Sequence, residues 1–190
     1  MKQTSIIDES SDDLVFVIHK HQATRLHYDF RLQVGMTMPS WVVPKGPTLD
    51  PSLKRLAMQV NDHTLEYRKF EGVIPPGSVG AGPVMIWDYG TYIPEIETKE
   101  GREKIEDKKF ANEVMRKGME KGEIKFFLKG EKLKGSFALV RTRMFGSKPA
   151  WLLIKHKDEF VQIGYDAKNY DFSAVSGLSL DEIMKKNKAT

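Results

Sequence analysis

The chain has 190 residues, 40% of them apolar and 29% charged, a globular balance with length for one domain and a sizeable core. It contains no cysteine, which excludes disulfides and thiolate metal sites and is compatible with a cytoplasmic home. The formal net charge of +4 suits a nucleic-acid partner without demanding one, and no apolar run approaches membrane-spanning length.

Residues 1–13 are polar and acidic and read as a flexible leader, which leaves 14–190 as a single domain. From Leu14 the text turns strand-like: "LVFVIHK" is β-branched and aromatic, and "LHYDFRLQV" alternates strictly. "GMTMPS" reads as a turn, "SWVVPK" as a strand, "GPTLDPSLK" as a proline-rich loop and "RLAMQV" as a further strand. Residues 61–82, with Pro75-Pro76-Gly77 and more glycines, read mostly as loop, and "PVMIWDYGTYIPEI" as a hairpin around Tyr89-Gly90. Residues 108–121 set Phe110, Val114 and Met115 at helical spacing. Strands return in "EIKFFLKG", "KGSFALVRTR" and "AWLLIKHK", and Ser179 with Glu182 has capping-box spacing for a short last helix. Many short strands with one substantial helix predict a mainly β fold, a compact β-barrel or sandwich with short helices.

The stretch "FVIHKHQATRLHYDFRL" concentrates chemistry, holding His19, His21 and His27 of the chain's five histidines. In a strand, alternate side chains share a face, so His27, Asp29 and Arg31 point one way and Leu26, Tyr28, Phe30 and Leu32 the other. His19 and His21 share a face of the preceding strand, and "QATR" is short enough to pair the two strands as a hairpin. His21 then lies across from His27 and Asp29. Two neutral imidazoles and a carboxylate on rigid strands form a ligand set with open positions, suited without thiolate to Mn, Zn or Fe. Arg31 beside such an ion offers a charged fork to a phosphate. The competing reading is the wet face of a half-exposed sheet.

Further candidates are Lys45 at a strand end, Arg55 opening a strand, His63 after Asp62, and Tyr67 four residues on. Taken singly they read as two surface charges, a loop residue and a core-edge aromatic. The glycines of "GSVGAG" lack the Gly-Lys-Ser/Thr of a Walker loop, and no G-x-S-x-G elbow is present.

Together "HKHQATRLHYDFRL", "SWVVPKGPTLDPSLKRLAMQVNDHTLEY", "FEGVIPPGSVGAG" and "WLLIKHKDE" resemble the 3′-phosphoesterase domain of DNA ligase D, over about residues 14–165. The resemblance implies a β-barrel that removes a 3′-terminal ribonucleoside by a phosphodiesterase step, then the 3′-phosphate by a phosphomonoesterase step, leaving a 3′-OH for repair and end joining. It implies Mn2+, with Zn2+ or Co2+ as alternatives, held at His21, His27 and Asp29. It implies that Arg31 holds the phosphate and that Lys45, Arg55, His63 and Tyr67 belong to the active site. His63 then either stabilises the transition state or protonates the leaving oxygen.

Two departures stand out. The leader is short and acidic, with no arginine before Arg25, which puts the diesterase step in doubt. His19 stands where many members have Gln, and either hydrogen-bonds behind the ligands or binds metal itself. With no ligase K-x-D-G motif, the chain reads as a free-standing enzyme acting on DNA or RNA-ended primer-template 3′ ends, with separate ligase and polymerase partners and no membrane. The alternative is a non-catalytic DNA-end-binding module that recruits repair partners. An iron-dependent dioxygenase-like or sugar-binding barrel fits the ligands but not Lys45 and Arg55.

Overall fold

The fold follows from strand alternation around three tryptophans. The structure, a computed structural model, describes residues 12–143 and 149–188, so most of the expected leader lies outside the described residues. Ten strands run in chain order: β1 (Val15–Gln22), β2 (Leu26–Leu32), β3 (Thr37–Val43), β4 (Arg55–Thr64), β5 (Gly72–Ile74), β6 (Gly82–Thr98), β7 (Gly101–Lys104), β8 (Glu123–Gly130), β9 (Lys134–Thr142) and β10 (Ala150–Lys155). Among the described residues two α-helices, α1 (Lys108–Lys121) and α2 (Leu180–Lys188), and two short 3-10 turns, Leu65–Lys69 and Ala167–Tyr170, complete the set. Eight strands close in the order β1-β2-β3-β4-β10-β9-β8-β6, with β6 returning to β1, and every pairing is antiparallel. The mainly β barrel expected from the sequence is what the chain forms.

Alternate residues fill the interior. Phe16, Ile18, Tyr28, Phe30 and Leu32 point inward from β1 and β2, joined by Trp41, Trp87 and Trp151. All three tryptophans are fully buried, each contributing on the order of 3 kcal/mol, and Trp41 meets Trp151 edge-on at 5.7 Å. The opposite faces of β1 and β2 therefore look outward. There Val17, Met38 and Ile86 form a small apolar cluster with Leu65, Tyr89 and Val175.

Several sequence expectations need correction. Tyr89-Gly90 is no hairpin: β6 is one strand of 17 residues that serves β1, β5, β7 and β8 in turn. Gly90 is there for closeness, since a Cβ would stand 2.1 Å from the Lys129 carbonyl oxygen. Residues 61–82 hold more order than their prolines and glycines suggest: β4 runs to Thr64, a 3-10 turn spans Leu65–Lys69, and β5 follows. β3 begins at Thr37, inside the expected turn, because Pro39 sits where the β3–β4 ladder slips register and no donor is needed.

Helix α1 matches its expected span. Asp107 caps it by accepting from the Phe110 amide at 2.8 Å, and Gly122 ends it at φ 86°. Ala111 and Met115 form its buried side, while Phe110 is exposed. At α2 the Ser179 hydroxyl accepts from the Glu182 amide at 3.2 Å, and Glu182 accepts from the Ser179 amide at 2.8 Å. Among the described residues no helix is long and apolar enough to cross a membrane.

Candidate metal centre

Register brings the histidine stretch together on the outer wall of the barrel. His21 lies directly opposite His27, and His19 opposite Asp29, in the β1–β2 ladder. Across β2–β3, Arg31 faces Ser40, and across β3–β4, Met38 faces His63. Paired residues share a face, so the outward side carries His19, His21, His27, Asp29, Arg31, Ser40 and His63.

Three of these converge. His21 Nδ1 is 3.7 Å and His27 Nε2 3.4 Å from Asp29 Oδ2, and ligand atoms of the trio lie within 4.8 Å of one another. Backbone carbonyls fix the imidazoles. His21 Nε2 donates to the Gly80 carbonyl at 2.7 Å, and His27 Nδ1 to the Arg25 carbonyl at 2.9 Å. A carbonyl only accepts, so each of these nitrogens carries a proton, and the other ring nitrogen faces Asp29, donating to the carboxylate when the ring is protonated and presenting a lone pair when it is neutral. Gly80 has φ +75°, and a Cβ there would stand 3.3 Å from His21 Cε1. Glycine lets the loop approach the ring closely.

Asp29 is buried, which by itself would raise its pKa. Hydrogen bonding to His21 and His27, and the charge of Arg31, override this and hold the carboxyl well below the usual range. The same hydrogen bond, opposed by burial, raises the pKa of His27. With both rings neutral, as a metal requires, the trio offers two fixed imidazole lone pairs and a carboxylate, a donor set that fits a divalent ion of nitrogen and oxygen preference.

Arg31 is almost wholly committed within the protein. Nε donates to His19 Nδ1 at 3.2 Å, and Nη1 to Ser40 Oγ at 3.0 Å and His63 Nδ1 at 2.9 Å. Nη2 stands 3.3 Å from Asp29 Oδ2, and the guanidinium lies 5.1 Å from the Tyr67 ring centroid. A guanidinium has five N–H groups, so one on Nη2 remains. The two-pronged fork expected from the sequence is not free.

His63 accepts at Nδ1, so its proton sits on Nε2. Burial and the Arg31 charge lower its pKa and keep it neutral near pH 7. His19 is fully buried and its pKa falls to about 3, first through burial and then through Arg31. It sits behind Arg31 as an acceptor, outside the ligand trio. Tyr67, on the 3-10 turn, packs against His63 (5.1 Å), His19 (5.4 Å) and Phe70 (5.4 Å). Burial raises its pKa, which Arg31 opposes.

Lys45 and Arg55 are not brought to this cluster. Lys45 is exposed in the turn after β3. Arg55 pairs with Leu153, whose side chain belongs to the interior, and its charge acts on Asp50. Neither makes a hydrogen bond or ion pair with Asp29, Arg31 or His63 among the described residues. Sequence reading missed Ser40 and the Gly80 carbonyl. Ser40 was legible once β3 was extended, as the residue opposite Arg31. A backbone carbonyl leaves no mark in the sequence.

The fold and the cluster define a class: a β-barrel protein with a candidate metallocentre set beside a buried guanidinium. The chain belongs to the DNA ligase D 3′-phosphoesterase domain family, whose sequence profile matches residues 19–141. It is 47% identical over 150 residues to the multifunctional non-homologous end joining protein LigD of Pseudomonas aeruginosa, covering 79% of this chain and 16% of that protein. It is 38% identical over 160 residues to the multifunctional non-homologous end joining DNA repair protein LigD of Mycobacterium tuberculosis, covering 84% and 18%. With the LigD of Mycolicibacterium smegmatis it shares 37% identity over 153 residues, 80% and 18% of the two chains. The chain thus spans less than a fifth of the length of these relatives.

Proposed function

We propose that the chain is a manganese-dependent 3′-phosphoesterase that heals DNA ends, acting first as a 3′-ribonucleoside phosphodiesterase and then as a 3′-phosphomonoesterase. The observation that carries this reading is the trio itself: His21, His27 and Asp29 offer converging ligand atoms, both rings held by carbonyls at their other nitrogens, with the Arg31 guanidinium on the same carboxylate. Family membership and the likeness to end-joining proteins support a strand end as substrate.

In the first step a water oxygen bonds to phosphorus, the bond to the terminal nucleoside's 5′ oxygen breaks, and the nucleoside leaves with a 5′-OH. In the second, water displaces the strand's 3′ oxygen, giving orthophosphate and a 3′-OH. A divalent ion bound at the trio supplies Lewis acidity and a lowered pKa for water. The protein's own groups do the rest. The remaining Nη2 N–H of Arg31 and the Nε2–H of neutral His63 donate to phosphate oxygens, stabilising charge as it builds. A neutral His63 favours that donor role over protonating the leaving oxygen. His19 and Ser40 hold the guanidinium plane, and Tyr67 shields it from water.

Lys45 and Arg55 enter this reading as cations outside the cluster. The test is phosphate and nucleoside release from primer-templates ending in a ribonucleotide or a 3′-phosphate, in Mn2+ against EDTA. Release in Mn2+ alone supports the proposal. Binding to the ends without release would make the chain a recruiting module.

A further inference from the structure

One outward face beside the trio has no role in the chemistry above. In the ladder, Asp29 pairs with Val42, Val42 with Met58, and Met58 with Ala150. One step along, Arg31 pairs with Ser40 and Ser40 with Val60, while on the other side Leu56 pairs with Leu152. Paired residues share a face, so Val42, Leu56, Met58, Val60 and Leu152 continue the wall that carries Asp29 and Arg31. None belongs to either apolar cluster of the fold. Val60 is 39% exposed and the other four are half-buried. The result is an uncharged aliphatic shelf whose near edge adjoins a candidate ligand and whose centre lies two strand spacings away, roughly 10 Å.

One end of this same wall, past the level of His27 and next to Leu56, is cationic instead. Arg25 is exposed next to the His27 end of β2, and Lys45 is exposed two residues past Val43, the ladder partner of Tyr28. Lys54 is exposed one residue before β4. A diester substrate is asymmetric about its scissile phosphate: the retained strand is a polyanion, whereas the departing terminal nucleoside has no charge. Cations suit the first and an aliphatic shelf the second. We infer that the face formed by Val42, Leu56, Met58, Val60 and Leu152 is the subsite for the departing terminal nucleoside. This rests on the phosphoesterase reading of the trio and adds to it the part of the substrate that lies beyond the phosphate. Recognition is by apolar contact with a base plane, so the subsite tolerates all four bases and rewards the larger purines.

The experiment compares the wild type with Met58→Gln and Val60→Thr on three primer-templates in Mn2+: one ending in riboadenosine, one in an abasic ribose, and one in a 3′-phosphate. Sedimentation and thermal melting of each protein accompany the rates. The wild type should release adenosine with a KM about five- to tenfold below that for the abasic ribose, the scale expected from partial burial of one base. In Met58→Gln the ratio of adenosine to phosphate release should fall by a similar factor, and the advantage over the abasic end should shrink. Val60→Thr, almost isosteric, should act in the same direction more weakly. Equal wild-type KM values for the adenosine and abasic ends would overturn the subsite. So would an equal loss on diester and monoester substrates in both variants, which would mean that the shelf holds the retained strand. A dimeric wild type made monomeric by Met58→Gln would overturn it in favour of self-association. Failure of the wild type to release either product would instead sink the phosphoesterase reading, and the subsite with it.

Discussion

Asp29 and Asp88 are both buried carboxylates, and they stand on opposite sides of β1, paired with His19 and Ile18 respectively. Asp88 accepts from the backbone amides of Tyr89, Glu131, Lys132 and Leu133, at 2.8–3.0 Å. Its oxygens are used up in fastening the β8–β9 turn to β6. Burial pushes its pKa to about 6 despite those amides. Asp29 is surrounded by side chains that donate or share lone pairs, and its carboxyl is held low. Burial of a charge does not separate structure from chemistry. What separates them is whether the partners are fixed amides that saturate the group or side chains whose free lone pairs meet beside it.

The largest effects follow from exchanging the two roles. His27→Ala removes one ligand from a half-buried position, so activity should fall by more than about a hundredfold, beyond the range of supporting residues, while the melting temperature barely moves. Asp88→Ala should do the reverse. Four amides lose their acceptor, which costs about 3 kcal/mol, or roughly 6–12 °C in Tm, while Mn2+ affinity of the folded protein is retained. Calorimetric metal titration beside thermal melts reads both. If His27→Ala melted the protein as severely as Asp88→Ala, the two carboxylate environments would be structurally equivalent and the distinction would fall.

A smaller effect sharpens the comparison at the network behind Asp29. Ser40→Ala removes the hydroxyl that accepts from Arg31 Nη1 and lies 3.3 Å from His63 Nδ1. Turnover should drop about tenfold with Mn2+ affinity unchanged, since the loss lies in holding the guanidinium and not in the ligands. Measured kcat against metal Kd decides it.

The smallest effect is in pH. His19 has a folded pKa of about 3 against 6.5, so its contribution to stability is fully present above pH 6.5 and is lost as pH falls from there toward 3. Asp88, raised to about 6 from 3.8, has the opposite sign: its contribution is present below pH 3.8 and is lost as pH rises through 6. His19→Gln keeps an acceptor for Arg31 and should flatten the first limb, and Asp88→Asn the second, in denaturant melts across pH 3–7 with chelator present. A wild-type slope unchanged by either variant would contradict these assignments.

How much of this was legible depends on what carried the signal. Strict alternation in residues 26–34, and the four-residue "QATR", were enough to place His21, His27 and Asp29 on one wall, because period and loop length fix a hairpin's faces. Helix α1 was legible because Phe110, Val114 and Met115 recur at helical spacing over its span, although Phe110 turns out exposed. Gly90 misled, since a glycine that admits a neighbouring strand looks the same in sequence as one that makes a turn. The positions of Lys45 and Arg55 depend on where strands end, which alternation does not encode. The commitment of Arg31 was also hidden, because Ser40 and His63 reach it only through the β2–β3–β4 register.

The central claim is that His21, His27 and Asp29 hold one divalent ion. Crystals grown in Mn2+, with anomalous difference maps measured around the manganese absorption edge, test it most directly. The account predicts one strong peak bonded to His21 Nδ1, His27 Nε2 and an Asp29 oxygen, with the His21 Nε2 to Gly80 hydrogen bond intact. A peak elsewhere on the barrel, or one ligated through His21 Nε2 with the ring turned away from Gly80, would contradict it.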